Sequence, residues 1–126
     1  MNILLVDDDI SSVTALTNLL DHDHDLKIAT NGYDAFDLIT ANRYDVVITD
    51  IMMPKMSGIE LLKSIREFDS DINVIVLTGY PTDRNIKAVT KYNAAAFFIK
   101  PIDVEHFMAE LEKIEQSVIV KNIKKE

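Results

Sequence analysis

Residues 46–58, VVITDIMMPKMSG, begin with an apolar run that stops at a carboxylate. The run Val46-Val47-Ile48 puts apolar side chains on both faces of an extended chain, which is typical of a strand buried on both sides. It ends at Thr49 and Asp50, and an ionised carboxylate at the end of a buried strand is costly unless its charge is balanced. The stretch therefore predicts a parallel sheet with chemistry at a strand end.

Four further apolar runs are also predicted strands, at residues 3–6, 26–29, 74–77 and 97–99. Helical patterns alternate with these runs, and the candidate N-caps are Asp9 or Ser11, Ser57 and Asp103. The fourth helical segment, 82–93, has few apolar residues, so we expect it to pack weakly. Strict β-α alternation predicts an α/β fold with a doubly wound five-stranded parallel sheet, and the weakest strand, 26–29, should lie nearest an edge.

The size and charge of the chain restrict its class. Its 126 residues fit one domain, predicted as 1–116, with 117–126 as a helix extension, a tail or the start of a linker. The net charge of −8 argues against direct nucleic-acid binding, and the lack of cysteine excludes thiol chemistry. The N-terminus is unlike a signal peptide, and no apolar run reaches the roughly 20 residues of a membrane helix. These features predict a soluble, cytoplasmic domain without a membrane partner.

Polar side chains follow four of the predicted strands: Asp7 and Asp8, Asp50, Thr78, and Lys100. If strands 1, 3, 4 and 5 lie side by side, these groups share one cleft at the carboxyl edge of the sheet. Clustered carboxylates repel one another, and a hard cation such as Mg²⁺ or Mn²⁺ would relieve the repulsion. A metal and a lysine beside a carboxylate also suit phosphoryl transfer to that carboxylate.

Four motifs carry a family resemblance: VDDD, ITDIMMPKMSGIELL, VIVLTGY and AAAFFIKP. Together, and in this order, they resemble the CheY-like receiver domain of response regulators over about residues 2 to 116. The resemblance implies a flavodoxin-like (βα)5 sheet of order 2-1-3-4-5. It also implies that Asp50 accepts a phosphoryl group from a sensor histidine kinase or a phosphotransfer protein in a two-component phosphorelay.

The resemblance further implies a metal site and a switch. Asp8 would bind the metal directly and Asp7 partly through water, with Asp50 and the backbone carbonyl of Met52 completing the protein ligands. Lys100 would contact the phosphoryl group. Thr78 and Phe97 would form the switch, and Pro54 and Gly58 would shape the loop after the third strand. The resemblance also suggests that the Lys100–Pro101 bond is cis. The face built by helix 4, strand 5 and helix 5 would then signal to an effector or output domain, or form a homodimer.

Some positions depart from the commonest family pattern. Asp9 makes a third consecutive acid and is more easily explained as a helix cap than as a metal ligand. Phe97 has no hydroxyl group, so an inward position would depend on packing alone. Met52 and Tyr80 stand two residues after Asp50 and Thr78, where large uncharged side chains would slow the loss of the phosphoryl group. The chain is thus predicted to be a phosphoacceptor with slow self-dephosphorylation, not an enzyme.

Two alternatives and two minor patterns remain. A haloacid-dehalogenase-type phosphatase would need an aspartate two residues after the nucleophile, where this chain has Met52. A pseudo-receiver would be a binding module that is never phosphorylated. His22 and His24 in DHDHD suggest a metal site, but a solvated helix-strand connection is the preferred interpretation. Met53 and Met56 are interpreted as packing residues rather than soft-metal ligands.

Overall fold

The computed structural model describes residues 1–125 and contains one sheet of five parallel strands in the order β2-β1-β3-β4-β5. The strands are β1 (Asn2–Val6), β2 (Asp25–Ala29), β3 (Val46–Asp50), β4 (Asn73–Thr78) and β5 (Ala96–Ile99). The helices are α1 (Ile10–Leu20), α2 (Gly32–Ala41), α3 (Gly58–Phe68), α4 (Asp83–Lys91) and α5 (Val104–Lys125). The α/β fold, the predicted order and the edge position of the second strand are confirmed.

The sheet is covered on both faces, which explains its apolar strands. Successive side chains of a strand point to opposite faces, so Leu4 and Val6 of β1 pack with α2, α3 and α4. Ile3 and Leu5 of the same strand pack with α1 and α5. Every residue of β3 is buried, as the continuous apolar run predicted.

Side-chain caps begin the helices where the sequence places short polar residues. Asp9 caps α1 by accepting the backbone N–H of Ser11, so the cap is Asp9 and not Ser11. Ser57 caps α3, and the Asp103 carboxylate accepts the backbone N–H of His106 in the first turn of α5. The cap at Asp9 fixes the start of α1 directly beside the carboxyl edge of the sheet.

Helix α4 is shorter than the predicted segment 82–93 and packs weakly. Thr82 lies outside the helix as its N-cap, and Asn93 has a positive φ of 53°, which ends the helical run. Val89 is the buried residue of this helix. Because few apolar contacts hold α4, it is suited to move more readily than its neighbours.

Arg66, in the last turn of α3, ties the end of α4 to the sheet. Its guanidinium donates to the backbone carbonyls of Tyr92 (2.8 Å), Asn93 (2.9 Å) and Ile72 (2.7 Å). Burial lowers the pKa of Arg66, an effect that the nearby charges of Asp69 and Asp71 oppose. The planar fork of arginine serves several acceptors at once, which the point charge of lysine cannot do.

We expect Arg66→Ala to lower the free energy of unfolding by about 2 kcal/mol, because the half-buried carbonyls of Tyr92 and Ile72 lose their charged donor. Urea denaturation followed by circular dichroism measures this loss. Arg66→Lys should recover less than half of it. Lys63→Ala, an exposed change on the same helix, serves as the control and should have little effect. Equal stability of Arg66→Ala and Lys63→Ala would contradict this role.

Helix α5 continues through Lys125, so the stretch after residue 116 is helical as far as the structure describes it. Val118 is half-buried against the α1 and α5 face of the core. Ile119, Val120 and Ile123 are exposed beyond it. The division of the chain at residue 116 stays a prediction, and residue 126 lies outside the described residues.

The DHDHD segment is only partly the solvated connection that we predicted. His22 has a side chain that is 89% exposed, but that of His24 is only 7% exposed. The His24 Nδ1 atom lies 3.1 Å from the N-terminal ammonium and 3.8 Å from a carboxylate oxygen of Glu115 on α5. Because β1 and β2 are paired, the residue before β2 lies beside the chain start and under α5. Within residues 1–125, no group of three His, Asp or Glu side chains is placed to hold a metal ion.

Two other expectations were met. Met53 and Met56 are half-buried against the core that contains α2 and α3, so they are packing residues. The Lys100–Pro101 bond is cis. Over the described part of the chain, no helix is both long and apolar enough to cross a membrane.

Candidate functional site

The Lys100 ammonium lies between two carboxylates at the carboxyl edge of the sheet. Its Nζ is 3.0 Å from Oδ2 of Asp50, which ends β3, and 3.2 Å from Oδ2 of Asp7, which follows β1. Lys100 reaches this place because it follows β5 and its backbone N–H donates to the carbonyl of Thr78 on β4. The sheet order therefore brings together three groups that are far apart in sequence.

The two carboxylates are buried, while the lysine is partly open to solvent. Asp7 is 1% exposed and Asp50 is 8% exposed, whereas the Lys100 side chain is 25% exposed. The second oxygen of Asp7 accepts the backbone N–H of Asp9 at 2.9 Å. The second oxygen of Asp50 faces the backbone N–H of Met52 at a long 3.4 Å. The Oδ1 atom of Asp50 is therefore less strongly hydrogen-bonded than the Oδ1 atom of Asp7.

The lysine is held in its charged form. Burial alone would lower the pKa of Lys100, but the hydrogen bonds and charges of Asp50 and Asp7 outweigh burial and raise the pKa above the ordinary lysine value. A raised pKa in the folded state means that this stabilisation is present below the unfolded-state pKa and is lost as pH rises through the folded-state value. A positive charge therefore stands beside Asp50 throughout the neutral range.

The predicted metal ligands are only partly assembled. Asp7 and Asp50 direct oxygens at one point, since both contact the same Nζ atom. Carboxylate oxygens are the ligands that a hard divalent cation prefers. Asp8 is exposed beside them. Of the residues that the structure describes, Asp7, Asp8 and Asp50 do not form a group of three converging carboxylates. Lys100 lies between the two buried carboxylates in this arrangement.

Thr78 and Phe97, the residues of the predicted switch, lie on the adjacent strands β4 and β5, where Thr78 pairs with Ile99. Thr78 is fully buried, and its hydroxyl oxygen accepts the backbone N–H of Tyr80 at 2.9 Å. Phe97 pairs with Val76 across the β4–β5 ladder and is half-buried against the α2, α3 and α4 face. The Thr78 hydroxyl is bonded to its own loop and not to Asp50 or Lys100.

The loops after β3 and β4 place two large side chains at the surface of the cleft. Met52 is 57% exposed and Tyr80 is 63% exposed. Pro54 is exposed, while Gly58 is buried and donates its backbone N–H to the carbonyl of Ile51 at 2.9 Å. This bond closes the loop that begins at Asp50.

Ser12 is a site residue that the sequence reasoning missed. Its hydroxyl oxygen accepts a hydrogen bond from Lys100 Nζ at 3.3 Å. The available signal was its place in the first turn of α1, three residues after the Asp9 cap. At that spacing a side chain lies on the same helix face as the cap.

The chain matches known receiver sequences. The family model of the response regulator receiver domain matches residues 3–112. Transcriptional regulatory protein ZraR of Escherichia coli strain K12 is 34% identical over 114 residues, which are 90% of this chain and 26% of ZraR. Sporulation initiation phosphotransferase F of Bacillus subtilis strain 168 is 32% identical over 112 residues, which are 88% of this chain and 90% of that protein. The chain thus spans about a quarter of the length of ZraR.

Solved structures agree with the sequence comparison. The receiver domain of Francisella response regulator 1452 has a TM-score of 0.84 and 27% identity, with 93% of this chain and 98% of that chain covered. The matched segment includes Asp7, Asp50, Thr78 and Lys100, and the phosphotransferase relative is matched over nearly its whole length. The chain belongs to the response regulator receiver domain family of two-component signalling.

Proposed function

We propose that this receiver domain accepts a phosphoryl group on Asp50 from a phosphohistidine of a sensor histidine kinase or a phosphotransfer protein. The observation that carries the proposal is the Lys100 ammonium, 3.0 Å from Asp50 and 3.2 Å from Asp7. An ammonium beside the Asp50 carboxylate supplies positive charge where a phosphoryl group would arrive. The family membership and the phosphotransferase relative support the same reaction class.

The transfer is a displacement at phosphorus. One carboxylate oxygen of Asp50 forms a bond to phosphorus while the bond from phosphorus to the imidazole nitrogen of the donor breaks, and its electron pair stays on that nitrogen. Lys100 donates hydrogen bonds to phosphoryl oxygens as charge gathers on them. The buried Asp7 keeps the ammonium at the mouth of the cleft. A bound Mg²⁺ or Mn²⁺ would be held by Asp7, Asp8, Asp50 and the Met52 carbonyl, and would supply further charge neutralisation.

The signal would leave through the switch face. An acyl phosphate at Asp50 offers oxygens to the Thr78 hydroxyl, which would exchange its bond with the Tyr80 N–H for one with the phosphoryl group. Phe97 would then move into the space that Thr78 leaves. Allosteric couplings of this kind are typically about 1–3 kcal/mol, and the weakly packed α4 can respond to an energy of that size. The recipient would be a downstream effector, an output domain or a second copy of the chain paired through the α4, β5 and α5 face.

The test is labelling with a small phosphodonor, such as acetyl phosphate or phosphoramidate. In Mg²⁺ the intact protein should gain one phosphoryl group, and reduction of the acyl phosphate with borohydride should mark the peptide that contains Asp50. A chelator should remove the labelling. If no donor labels the chain and beryllofluoride does not bind, the domain is a pseudo-receiver. Rapid turnover of phosphomonoesters would instead favour the phosphatase alternative. That alternative needs an acid/base aspartate at the position where this chain has Met52.

The lifetime of the phosphoryl group should depend on Met52. Its exposed, uncharged side chain cannot orient an attacking water, so we expect slow self-dephosphorylation. Met52→Asn should speed this reaction about tenfold, the effect of one hydrogen bond realised in the transition state. Met52→Leu, which keeps the volume and adds no polar group, is the matched control. Decay of the label after removal of the donor gives the rate, and equal decay in Met52→Asn and Met52→Leu would refute the idea.

A further inference from the structure

Four residues form a closed ring of hydrogen bonds on the α1 side of the cleft. Lys100 Nζ donates to Oδ2 of Asp7 (3.2 Å) and to the Ser12 hydroxyl oxygen (3.3 Å). The Ser12 hydroxyl donates in turn to Oδ2 of Asp9 at 3.4 Å. The Asp9 backbone N–H donates to Oδ1 of Asp7 at 2.9 Å, which completes the ring. The charge of the α1 cap is thereby connected to the site lysine through one hydroxyl.

The ring uses the full donor capacity of the lysine. An ammonium has three N–H donors, and the three acceptors around Nζ are Asp7, Asp50 and Ser12. Two of them are carboxylates, and one of these, Asp50, changes its chemistry in the proposed reaction. Ser12 is neutral, and its half-buried hydroxyl is placed by the cap that begins α1. It is therefore an acceptor that the reaction leaves unaltered.

We propose that Ser12 is a positioning residue for Lys100, holding the ammonium toward α1 and aimed at the arriving phosphoryl group through the Lys100–Ser12–Asp9 hydrogen bonds. The inference rests on the proposed phosphoryl transfer and adds a residue to it. A flexible lysine stem has many conformers, and hydrogen bonds in series reinforce one another. Without the hydroxyl, the ammonium has only carboxylate partners, and Asp50 must then compete with the incoming group for it.

Two substitutions break the ring at different bonds. Ser12→Ala removes the acceptor for Lys100, while Ser12→Thr keeps it. Asp9→Asn keeps a side-chain oxygen for the α1 cap, which asparagine provides as well as aspartate does. It replaces the second oxygen, which accepts the hydrogen bond from the Ser12 hydroxyl, with an NH₂ group. Ser11→Ala is the matched control, because Ser11 is exposed and its backbone N–H, which bonds to Asp9, remains in alanine.

The first measurement is the rate of labelling by acetyl phosphate in Mg²⁺ as a function of donor concentration. Ser12→Ala should lower the maximal rate about tenfold, with little change in the donor concentration that gives half of it. Asp9→Asn should give a smaller loss of the same kind. Ser12→Thr and Ser11→Ala should match the unaltered chain. A loss that appeared mainly as weaker donor binding would overturn the positioning role.

The second measurement does not depend on phosphorylation. The ¹⁵N resonance of the Lys100 ammonium, assigned by its absence in Lys100→Arg, should show slow proton exchange in the unaltered chain and in Ser12→Thr. It should exchange several-fold faster in Ser12→Ala and Asp9→Asn. If the unaltered chain is never labelled, the phosphoryl-transfer proposal fails. If it is labelled while Ser12→Ala and Asp9→Asn leave both the rate and the ammonium exchange unchanged, only the role of Ser12 is overturned.

Discussion

An Asp50→Asn chain takes up no phosphoryl group from any donor, and we expect the loss of labelling to be complete. The amide nearly matches the carboxylate in shape but carries no charge, so it cannot act as the nucleophile toward phosphorus. The amide oxygen can still accept a hydrogen bond from Lys100, whose Nζ lies 3.0 Å from Oδ2 of Asp50 in the unaltered chain. Intact mass after incubation with acetyl phosphate and Mg²⁺ measures the result.

The variant should remain folded, so its inactivity can be assigned to chemistry. Asp7 still pairs with Lys100 when the charge of Asp50 is removed, and the mutual repulsion of two buried carboxylates disappears. Asp37→Asn, an exposed change of the same kind on α2, is the control and should label normally. Persistent labelling of Asp50→Asn at the level of Asp37→Asn would place the phosphoacceptor elsewhere.

The residues at the strand ends could be predicted because parallel sheets leave few choices. The apolar runs predicted the strands, and because the strands are parallel, all their carboxyl ends lie at one edge of the sheet. Asp50 and Lys100, fifty residues apart, therefore meet once the strand order is known. That order came from the family resemblance and not from the apolar pattern, because the pattern alone does not say which strands are neighbours.

The contacts that sequence reasoning missed depend on how a helix is rotated and where a chain end lies. Ser12 reaches Lys100 only because the Asp9 cap fixes the first turn of α1 against the cleft. No sequence pattern singled out Arg66, whose guanidinium donates to carbonyls that the turn after α4 presents to it. His24 is buried by α5 and the N-terminus, which are distant in sequence. No periodicity in the chain encodes such contacts.

The loop after Asp50 depends on a glycine for a reason that is steric. A Cβ atom at Gly58 would overlap the carbonyl oxygen of Asp50, and would lie 2.8 Å from its carbonyl carbon and 2.9 Å from Cα of Ile51. These are backbone atoms, so no side-chain rotation relieves the clash. The hydrogen bond from the Gly58 N–H to Ile51 holds the two segments at this close distance.

Gly58→Ala should therefore lower the free energy of unfolding by about 3 kcal/mol or more, at the upper end of overpacking effects. A loss of stability would be informative, because helix propensity alone predicts a gain. Gly58 is the first residue of α3, and alanine is more favourable than glycine in a helix by about 1 kcal/mol. Urea denaturation measures the change. The clash also pushes on Asp50 itself, so the labelling rate should fall even at temperatures where the variant is fully folded.

Gly79→Ala is the matched control for this steric argument. Gly79 follows Thr78 at the same edge of the sheet, but an added Cβ there meets nothing within 4 Å, and the residue does not have a positive φ. Alanine should leave the stability unchanged or raise it by about 0.5 kcal/mol, since it restricts the unfolded chain. If the two variants lost similar stability, the cause would be a general intolerance of the cleft loops. A large loss confined to Gly58→Ala would show that the phosphoacceptor strand and α3 meet at a contact that admits no side chain.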